Sequence, residues 1–389
     1  MTTWVVDGLR SPHGKYGGTL RDVPMTDLAV QTTQLLLQRV GIDPAVIDEV
    51  VLSCRHQAGN GPNPARTIAV KSGLAESTPA HTVNMACASG LKAVWAAQQA
   101  IAAGDADIVL VSAADSMSSM PYYGSYKLRW EGAKPRDITL KDGWRDGEDP
   151  LSGLSMGLTA ENVAAKYGIS RAAQDEWAAR SHQRAEEAWA AGSFGDEVVT
   201  IDTASGAFSR DETVRPGTTV EKLSRLAAAF REDGTVTAGN ASQMGDAAAS
   251  ILLASTDAVK RFGLRPRAAL RSVAAVGVDP KQMGVGPVEA IPKALARAGI
   301  SLSDVDLFEI NEAFAAQIVQ NVRALGLDEE RVNRNGGGIA LGHPTGETGG
   351  RLIATLLRQL EETDSRYAVA SMCVGGGQGA AAVLERVPR

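Results

Sequence analysis

The sequence predicts an α/β protein assembled from two similar halves, and three observations favour this fold class. Helical patterns alternate with short apolar runs typical of buried strands, which predicts mainly parallel sheets covered by helices. The order of elements near the start of the chain recurs near its end. A helix predicted over 88–103 is apolar on nearly every side, as expected for a helix enclosed by protein.

In chain order, the first elements are a strand-like run at Trp4-Val5-Val6, a helix over 26–40 and a strand at Val50-Val51-Leu52. The enclosed helix over 88–103 follows. Helices over 288–298 and 347–361 occupy equivalent places in the second half.

Four residue pairs share one separation of 259 residues, which is 349 minus 90: Gly90 with Gly349, Lys92 with Arg351, Asp105 with Asp364, and Ser112 with Ser371. In each copy a helix and an acidic turn lead to an apolar strand, at 108–111 and at 367–370. A second match relates 41–52 to 299–310. The chain is therefore interpreted as a duplication.

Residues from about 119 to 245 have no counterpart in this repeat. One helix is predicted there over 171–191, because Ser170 is a suitable N-cap and Gly192 a suitable C-cap. The segment is either a spacer or a third domain. Its length and its own helices favour a third domain.

Composition excludes several classes of protein. A chain of 389 residues with 44% hydrophobic content can form two or three domains with substantial interiors. A net charge of -6 argues against nucleic-acid binding, and no dense basic run indicates a membrane patch. No signal peptide and no apolar stretch near the roughly 18 residues of a membrane span is found, so a cytoplasmic protein is expected. Three cysteines and five scattered histidines favour reduced thiols and no metal site.

Cys87 lies where a short apolar run gives way to the alanine-rich helix over 88–103. The first turn of a helix has unpaired N–H groups, which together with the helix dipole stabilise a thiolate and can receive an oxyanion. Cys87 is therefore a candidate nucleophile. Considered alone, a cysteine at a junction between a strand and a helix is more often a buried structural residue.

Three later motifs each place a reactive side chain beside residues that allow close backbone approach: Asn311-Glu312-Ala313-Phe314, Gly342-His343-Pro344 and Cys373-Val374-Gly375-Gly376-Gly377. Together with Cys87 they resemble the thiolase family, enzymes that make or cleave 3-oxoacyl-CoA thioesters. The resemblance extends nearly end to end through Arg10-Ser11-Pro12-His13-Gly14-Lys15, Asn63-Pro64-Ala65-Arg66, Cys87-Ala88-Ser89-Gly90-Leu91-Lys92-Ala93, Ser116-Met117-Ser118, Thr159-Ala160-Glu161-Asn162 and Thr237-Ala238-Gly239-Asn240-Ala241-Ser242.

This resemblance implies the thiolase fold, in which two duplicated βαβαβαββ halves form a layered α/β/α/β/α core with an inserted loop domain. The implied N-terminal half comprises residues 1–118 and 246–266. The loop domain, which holds CoA in the family, comprises 119–245. The C-terminal half comprises 267–389.

The resemblance also implies the catalytic roles. Cys87 becomes acylated, and His343 accepts its thiol proton. Cys373 acts as acid and base at the α-carbon of acetyl-CoA. The backbone N–H groups of Cys87 and Gly375 form one oxyanion hole, while His343 and a water held by Asn311 form the other. Without the family context, Cys373 would be read as a space-filling residue and His343 as a surface residue.

For CoA binding, the family positions match Ser242 and Arg215, with Arg215 at the nucleotide end. Met156, Phe230, Met283 and Phe314 match residues that line the acyl and pantetheine channel, although such residues are also ordinary core residues. CoA and acetyl-CoA are expected as substrates, with no permanently bound cofactor.

Some positions depart from the family pattern. Ser155 replaces a usual histidine before Met-Gly, and Glu347 lies in Gly346-Glu347-Thr348-Gly349, which replaces a usual Gly-Ala-Ser-Gly. Gln243 and the residues after it also differ from the usual Gly-Ile-Asn-Asp. Each departure touches the surroundings of the substrate, so the acyl chain length and the direction of the reaction stay open.

The favoured activity is that of an acetyl-CoA C-acetyltransferase. The alternatives are a degradative 3-ketoacyl-CoA thiolase for longer or cyclic acyl chains and, from another class, a non-catalytic acyl-CoA-binding relative. A ketoacyl-carrier-protein synthase would usually have a second histidine in place of Cys373, and a papain-like hydrolase would need no second cysteine. A homodimer or homotetramer is expected, because thiolases pair through sheet edges beside the nucleophile.

Overall fold

The computed structural model of the chain describes residues 2–130, 132, 134, 136, 138–143 and 148–387. Within these residues the strands are β1 (Thr3–Arg10), β2 (Gly14–Lys15), β3 (Glu49–Ser53), β4 (Ala80–Val83), β5 (Ile108–Ser116), β6 (Tyr122–Gly124), β7 (Leu140–Asp142), β8 (Glu148–Asp149), β9 (Leu154–Ser155), β10 (Ile201–Thr203), β11 (Gly206–Phe208), β12 (Gly245–Ser255), β13 (Ala268–Gly277), β14 (Leu307–Ile310), β15 (Tyr367–Val374) and β16 (Gln378–Arg386). The α-helices are α1 (Met25–Val40), α2 (Pro64–Lys71), α3 (Ser89–Ala103), α4 (Met156–Tyr167), α5 (Arg171–Ala191), α6 (Val220–Leu223), α7 (Thr256–Phe262), α8 (Gly286–Ala298), α9 (Ala315–Leu325), α10 (Gly338–Leu341) and α11 (Thr348–Glu362).

Ten strands form one continuous mixed sheet in the order β14-β15-β16-β13-β1-β12-β5-β3-β4, with β2 beside β12. Parallel pairing is confined to β14 with β15 and to β3 with its neighbours β4 and β5. The pairs from β15 through β16, β13, β1 and β12 to β5 are antiparallel. The expectation of mainly parallel sheets was therefore wrong. Apolar runs report burial on both faces of a strand, and here helices cover both faces of antiparallel strands as well.

The two halves of the sheet enclose α3 and α11, which contact each other and pack on strands from both halves. Leu91 and Val94 of α3 join Leu352 and Leu356 of α11 in the largest apolar core. On the outer faces, α1 and α2 cover the N-terminal strands, and α8 and α9 cover the C-terminal ones. The result is the predicted α/β/α/β/α layering.

The enclosed helices cross at their first turns through two glycines. A Cβ atom on Gly90 would lie 2.7 Å from the Cα of Gly349, and one on Gly349 would lie 2.8 Å from the Cα of Gly90. These residues are one of the repeat-related pairs in the sequence. Because Cys87 precedes α3 and His343 precedes α11, their crossing brings the two reactive segments together.

The duplication is clear but not exact. The N-terminal half runs β1-α1-β3-α2-β4-α3-β5-β12, and the C-terminal half runs β13-α8-β14-α9-α11-β15-β16 with the short α10 before α11. In the second half, the counterpart of β4 is reduced to an isolated parallel bridge between Phe308 and Val332.

The segment between the halves contains the small strands β6 to β11 and the helices α4 to α6. Helix α5 has the predicted bounds: the Ser170 hydroxyl accepts from the Ala173 N–H, and Gly192 ends the helix with a left-handed φ of 75°. It packs against α9 and α10 of the C-terminal half. The predicted domain boundaries stay a prediction. Within the described ranges, no helix is long and apolar enough to cross a membrane, and no metal-binding cluster of His, Cys, Asp and Glu occurs.

Candidate active site

Cys87 lies in a tight turn between β4 and α3. Ala86, immediately before it, has a positive φ of 46°, which is uncommon for a residue with a Cβ atom. The Ser89 hydroxyl holds the turn by donating to the Ala86 carbonyl (2.6 Å) and accepting from the Met85 N–H (2.8 Å). Since α3 begins at Ser89, the thiol lies at the N-terminal end of the helix, as predicted.

The Cys87 thiol is enclosed, and burial raises its pKa above the usual value. The Gly375 N–H, the Arg55 guanidinium and the N–H of Cys87 itself favour the thiolate and partly offset this rise in pKa. Because burial dominates, the resting side chain is a neutral thiol that needs a base. The two N–H groups directed at the sulfur can also receive the oxygen of a carbonyl that the sulfur attacks.

Cys373 ends β15 and is buried. Burial, and secondly the nearby Cys87 sulfur, raise the pKa of Cys373, so this thiol is also neutral at rest. The turn that follows depends on glycine, because Gly376 and Gly377 have φ angles of 84° and 79°. At Gly375, a Cβ atom would approach Met156 Sδ to 3.1 Å.

His343 is positioned by partners on both ring nitrogens. Nδ1 lies 2.7 Å from the Thr348 hydroxyl, and that hydroxyl itself donates to the Pro344 carbonyl at 2.9 Å. Nδ1 is therefore the protonated nitrogen, and Nε2, 3.3 Å from Asn311 Nδ2, carries the lone pair. Burial, and then the positive charge of Arg351, lower the pKa of His343 to about 3. The imidazole is consequently neutral near pH 7 and able to accept a proton.

Asn311 follows β14 and is fixed by its neighbours. Asn333 accepts from the Ile310 N–H (2.9 Å) and donates to the Ile310 carbonyl (2.8 Å), so its side chain imitates a neighbouring strand. The adjacent Glu312 accepts from Trp177 Nε1 (2.9 Å) and Asn333 Nδ2 (2.9 Å). Glu312 thus acts as a buried hydrogen-bond acceptor that holds the segment after β14 in place.

The loop 344–347 is held from the side of β5 by Asp115. One carboxylate oxygen accepts from the Thr345 hydroxyl (2.9 Å) and the Gly346 N–H (2.8 Å). Although burial alone would raise it, the pKa of Asp115 is below its usual value because His56, Gly346 and Thr345 stabilise the carboxylate. A fixed negative charge therefore anchors the segment between His343 and α11.

A cavity of about 510 Å³ gathers most of the predicted site residues. Those that line it are Cys87, Met156, Phe230, Ser242, Met283, Phe314, His343 and Cys373. Asn311 and Gly375 do not line the cavity themselves. The Asn311 side chain contacts His343, and the Gly375 N–H is directed at the Cys87 sulfur. Arg215 does not line the cavity: it is exposed, and its guanidinium donates to Gln243 Oε1 (2.9 Å), which is on the cavity wall.

The apolar wall is also part of the packed interior. Met283 and Phe314 belong to a buried cluster that includes Cys373, with Met156 packed against it. The Phe230 and Phe314 rings meet edge to face at 6.2 Å. Met283, Phe314 and Met156 therefore line the cavity and also belong to the packed interior, whereas Phe230 is partly exposed; contact of these side chains with an acyl or pantetheine group stays a prediction.

The departures from the family pattern lie in different surroundings. Ser155 lines the cavity and caps α4 by accepting from the Leu158 N–H (3.4 Å). Glu347 is fully buried beside His13 and does not line the cavity.

Sequence reasoning missed several contributors. Met117, Glu148, Met244 and Thr345 also line the cavity, and Thr348 contacts the imidazole. Met117 stands in the Ser116-Met117-Ser118 motif, which was a usable signal. No signal in the sequence marked Glu148 as a site residue, because a carboxylate in a polar segment is usually solvated.

Comparisons with known proteins agree with this geometry. The family described as "Thiolase, N-terminal domain" matches residues 3–257, and "Thiolase, C-terminal domain" matches residues 264–386. The acetyl-CoA acetyltransferase of Cupriavidus necator is 44% identical over 98% of both chains.

Solved structures are similar over nearly the whole chain. The human mitochondrial 3-ketoacyl-CoA thiolase in complex with CoA is 40% identical with a TM-score of 0.97, covering 99% of this chain and 98% of that one. The acetyl-CoA acetyltransferase from Syntrophomonas wolfei is 40% identical with a TM-score of 0.96, covering 100% of this chain and 99% of that one.

Proposed function

The chain belongs to the thiolase family and is an acyltransferase, and from this premise we propose that it is an acetyl-CoA C-acetyltransferase that carries its acyl group on Cys87. One observation carries the proposal: Cys87, His343 and Cys373 converge on one cavity. A non-catalytic binding protein would not need two thiols and a neutral imidazole around the same space.

In the first half-reaction, Cys87 Sγ attacks the 3-oxo carbon of acetoacetyl-CoA and passes its proton to Nε2 of His343. Because His343 is neutral at rest, its Nε2 lone pair is free to accept the proton. Burial raises the pKa of Cys87 and lowers that of His343, so the transfer has to be coupled to stabilisation of the oxyanion that forms during the attack. The N–H groups of Cys87 and Gly375 receive the resulting oxyanion.

Collapse of that intermediate breaks the carbon–carbon bond and leaves the electron pair on the enolate of acetyl-CoA. Cys373 donates its proton to the enolate carbon, a role that its raised pKa supports. The thiol proton of incoming CoA then restores Cys373 as the CoA sulfur attacks acetyl-Cys87. Cys87 leaves as a thiolate and regains its proton from His343, so atoms and protons balance. Condensation follows the same steps in reverse.

CoA is proposed to be held by the inserted domain, residues 119–245, with 1–118 and 246–266 forming the N-terminal half and 267–389 the C-terminal half. Ser242 and Met156 would contact the pantetheine arm, and Arg215 the nucleotide end. Support comes from the position of Arg215 at the rim beside Gln243. The CoA complex of the human relative adds to this support.

A second candidate is a 3-ketoacyl-CoA thiolase for longer acyl chains. The observation in its favour is the apolar wall of Met and Phe side chains, together with the high similarity to a human enzyme of that name. Comparing kcat/KM for thiolysis of 3-oxoacyl-CoA substrates of increasing chain length separates the two. A maximum at acetoacetyl-CoA supports the acetyltransferase.

The nucleophile is tested by intact-mass analysis after incubation with acetoacetyl-CoA. The expected product is an adduct of about 42 Da, one acetyl group, that disappears on addition of CoA and is absent from Cys87→Ala. Cys54→Ala is the matched control, since Cys54 is a free cysteine that is buried and does not line the cavity. An adduct that survives in Cys87→Ala contradicts the proposal.

A further inference from the structure

A buried pair of side chains, His13 and Glu347, lies beneath the loop that carries His343. Both side chains are completely buried, and neither lines the cavity. Glu347 is one of the departures noted in the sequence, and no step of the mechanism above uses it. Its place in the fold, one residue before α11, puts it between His343 and the helix that orients it.

The His13 ring contacts both ends of this loop. Nδ1 lies 2.6 Å from the Leu341 carbonyl, two residues before His343, and Nε2 lies 3.3 Å from Glu347 Oε1, four residues after it. The ring also lies close to Gly342, where a Cβ atom would come within 3.8 Å of Nδ1. One rigid imidazole thereby fixes the distance between the two ends of the segment 341–347.

These contacts determine which atoms of His13 and Glu347 carry protons. A carbonyl can only accept, so Nδ1 donates to Leu341, and Nε2 must face the carboxylate of Glu347. A hydrogen bond there requires one further proton, carried either by Nε2 or by Oε1. The other oxygen of Glu347 has no hydrogen-bonding partner among the described residues. The side chain of Glu347 is therefore held through His13.

His13 is itself rigidly held by the inserted segment between the two halves. The backbone N–H of His13 donates to Asp211 Oδ1 (2.7 Å), and the backbone carbonyl of His13 accepts from the Glu212 N–H (3.1 Å). Asp211 is in turn fixed by two hydrogen bonds from Arg10, at 2.8 Å and 3.0 Å. The pair thus connects a fixed point at the end of β1 to the His343 loop.

We propose that His13 and Glu347 form a positioning pair that sets the His343 loop for proton transfer from Cys87. This inference rests on the proposed function, because it assumes that His343 is the base. The pair touches neither substrate nor the reacting atoms, so its effect is on the geometry of His343. Removing it should slow acyl transfer without weakening the binding of acyl-CoA.

The test compares Glu347→Ala, His13→Ala and Glu347→Gln in thiolysis of acetoacetyl-CoA. Each alanine variant should lower kcat about tenfold or more, the usual size of an ångström-scale misplacement, with KM within about twofold. Glu347→Gln should recover most of kcat, because its amide N–H donates to Nε2 of neutral His13. The double alanine variant should be no worse than the poorer single variant, since both remove one contact.

Asp7→Asn is the matched control. Asp7 is also a buried, hydrogen-bonded carboxylate, paired with Arg39 (2.6 Å) and Arg267 (2.9 Å), but it has no hydrogen bond to the 341–347 loop, so kcat should stay within about twofold. Thermal unfolding of every variant identifies any that fail to fold, and His13→Ala then serves in place of Glu347→Ala. The proposal is overturned if the alanine variants keep wild-type kcat, if Glu347→Gln is as impaired as Glu347→Ala, or if Asp7→Asn is equally impaired. An acetyl adduct on wild-type Cys87 keeps the proposed function intact whichever way these variants behave.

Discussion

At the scale of single residues, the two thiols and the imidazole of the site are uncharged at rest. Burial raises the pKa of both thiols and lowers that of His343, so no thiolate–imidazolium pair forms at rest. In the proposed mechanism, the thiolate of Cys87 is generated only as substrate arrives, when N–H groups stabilise the new oxyanion instead of the sulfur. A neutral resting thiol is also less prone to oxidation and alkylation.

Cys373→Ala should separate the two halves of the reaction. Acetyl transfer from acetyl-CoA to Cys87 involves no carbon–carbon bond and no enolate, so Cys373 never loses its proton and needs none from CoA. His343 can then carry the proton between Cys87 and the CoA sulfur, and exchange of labelled CoA into acetyl-CoA should continue. Thiolysis of acetoacetyl-CoA needs the proton of Cys373 and should fall by about 10²–10⁴-fold. Stopped assays of both reactions on one preparation measure the split. Equal loss of both activities would mean that Cys373 is not specific to the α-carbon.

Asn311→Ala should lower kcat by about 10²–10³-fold, the usual effect of losing one oxyanion donor. KM should change little, since Asn311 does not line the cavity and contacts His343. Steady-state kinetics with acetoacetyl-CoA measure this. Asn321→Ala, in the neighbouring helix α9, is the control; a similar loss of kcat there would indicate a general packing defect.

The residues that stand in distinctive motifs were predicted to lie together, and they do. Contacts between residues that only the fold brings together were missed. Cys87, His343 and Cys373 stand in distinctive motifs and line one cavity. Asp115 and Thr345 are 230 positions apart, and their hydrogen bond has no local signal. Thr348 looked like an ordinary helix residue, although its hydroxyl determines the tautomer of His343.

At the scale of elements, the glycine crossing of α3 and α11 controls the geometry of the site. Gly90→Ala would force a methyl group to within 2.7 Å of Gly349, and overpacking of this kind costs about 1–3 kcal/mol. We expect a lower midpoint of thermal unfolding and a reduced kcat, because the helices orient Cys87 and His343. Gly277→Ala is the control, since Gly277 has an ordinary φ and an added Cβ meets nothing within 4 Å. If Gly90→Ala unfolds at the wild-type temperature, the crossing tolerates side chains.

Helix bounds were predicted closely, whereas strand directions were not. Caps such as Ser170 and Gly192 mark helix ends through local hydrogen bonds and φ angles. Strand direction depends on which distant segments pair, and the antiparallel contacts of β1 with β12 and β13 join residues 239 to 267 positions apart. The repeat in the sequence nevertheless predicted two similar halves, while the layered α/β/α/β/α architecture was implied by the resemblance to the thiolase family.

At the scale of the whole molecule, two buried histidines should limit stability in acid. Burial lowers the pKa of His182 to about 4 and that of His343 to about 3, from an ordinary value of 6.5. Between pH 6.5 and the lower pKa that each histidine has in the folded state, the unfolded chain binds more protons than the folded chain. The stability present above pH 6.5 is therefore lost as the pH falls toward about 4 for His182 and about 3 for His343. Each group contributes at most a few kcal/mol, at about 1.4 kcal/mol per pKa unit.

His182→Gln should therefore flatten the decline of the unfolding midpoint between about pH 6.5 and pH 4, while its amide oxygen still accepts from the Arg215 N–H. Thermal unfolding at fixed protein concentration across this range measures the slope. The difference between variant and wild type should be constant above pH 7, where His182 is neutral in both states. A variant whose curve runs parallel to wild type down to pH 4 contradicts this account.

The same scale includes the assembly, and the sheet edge beside the nucleophile argues for pairing of two copies. β4 is the last strand of the large sheet and leads directly into the Cys87 turn. An open edge strand presents unpaired N–H and C=O groups that a second copy can bond. Light scattering should therefore give two or four times the mass of one chain. A charge on the edge strand, as in Thr82→Glu, should shift the protein toward monomer. It should also lower kcat, because the Cys87 turn that follows the strand would be held less firmly. A wild-type protein that is monomeric at micromolar concentration would contradict the pairing.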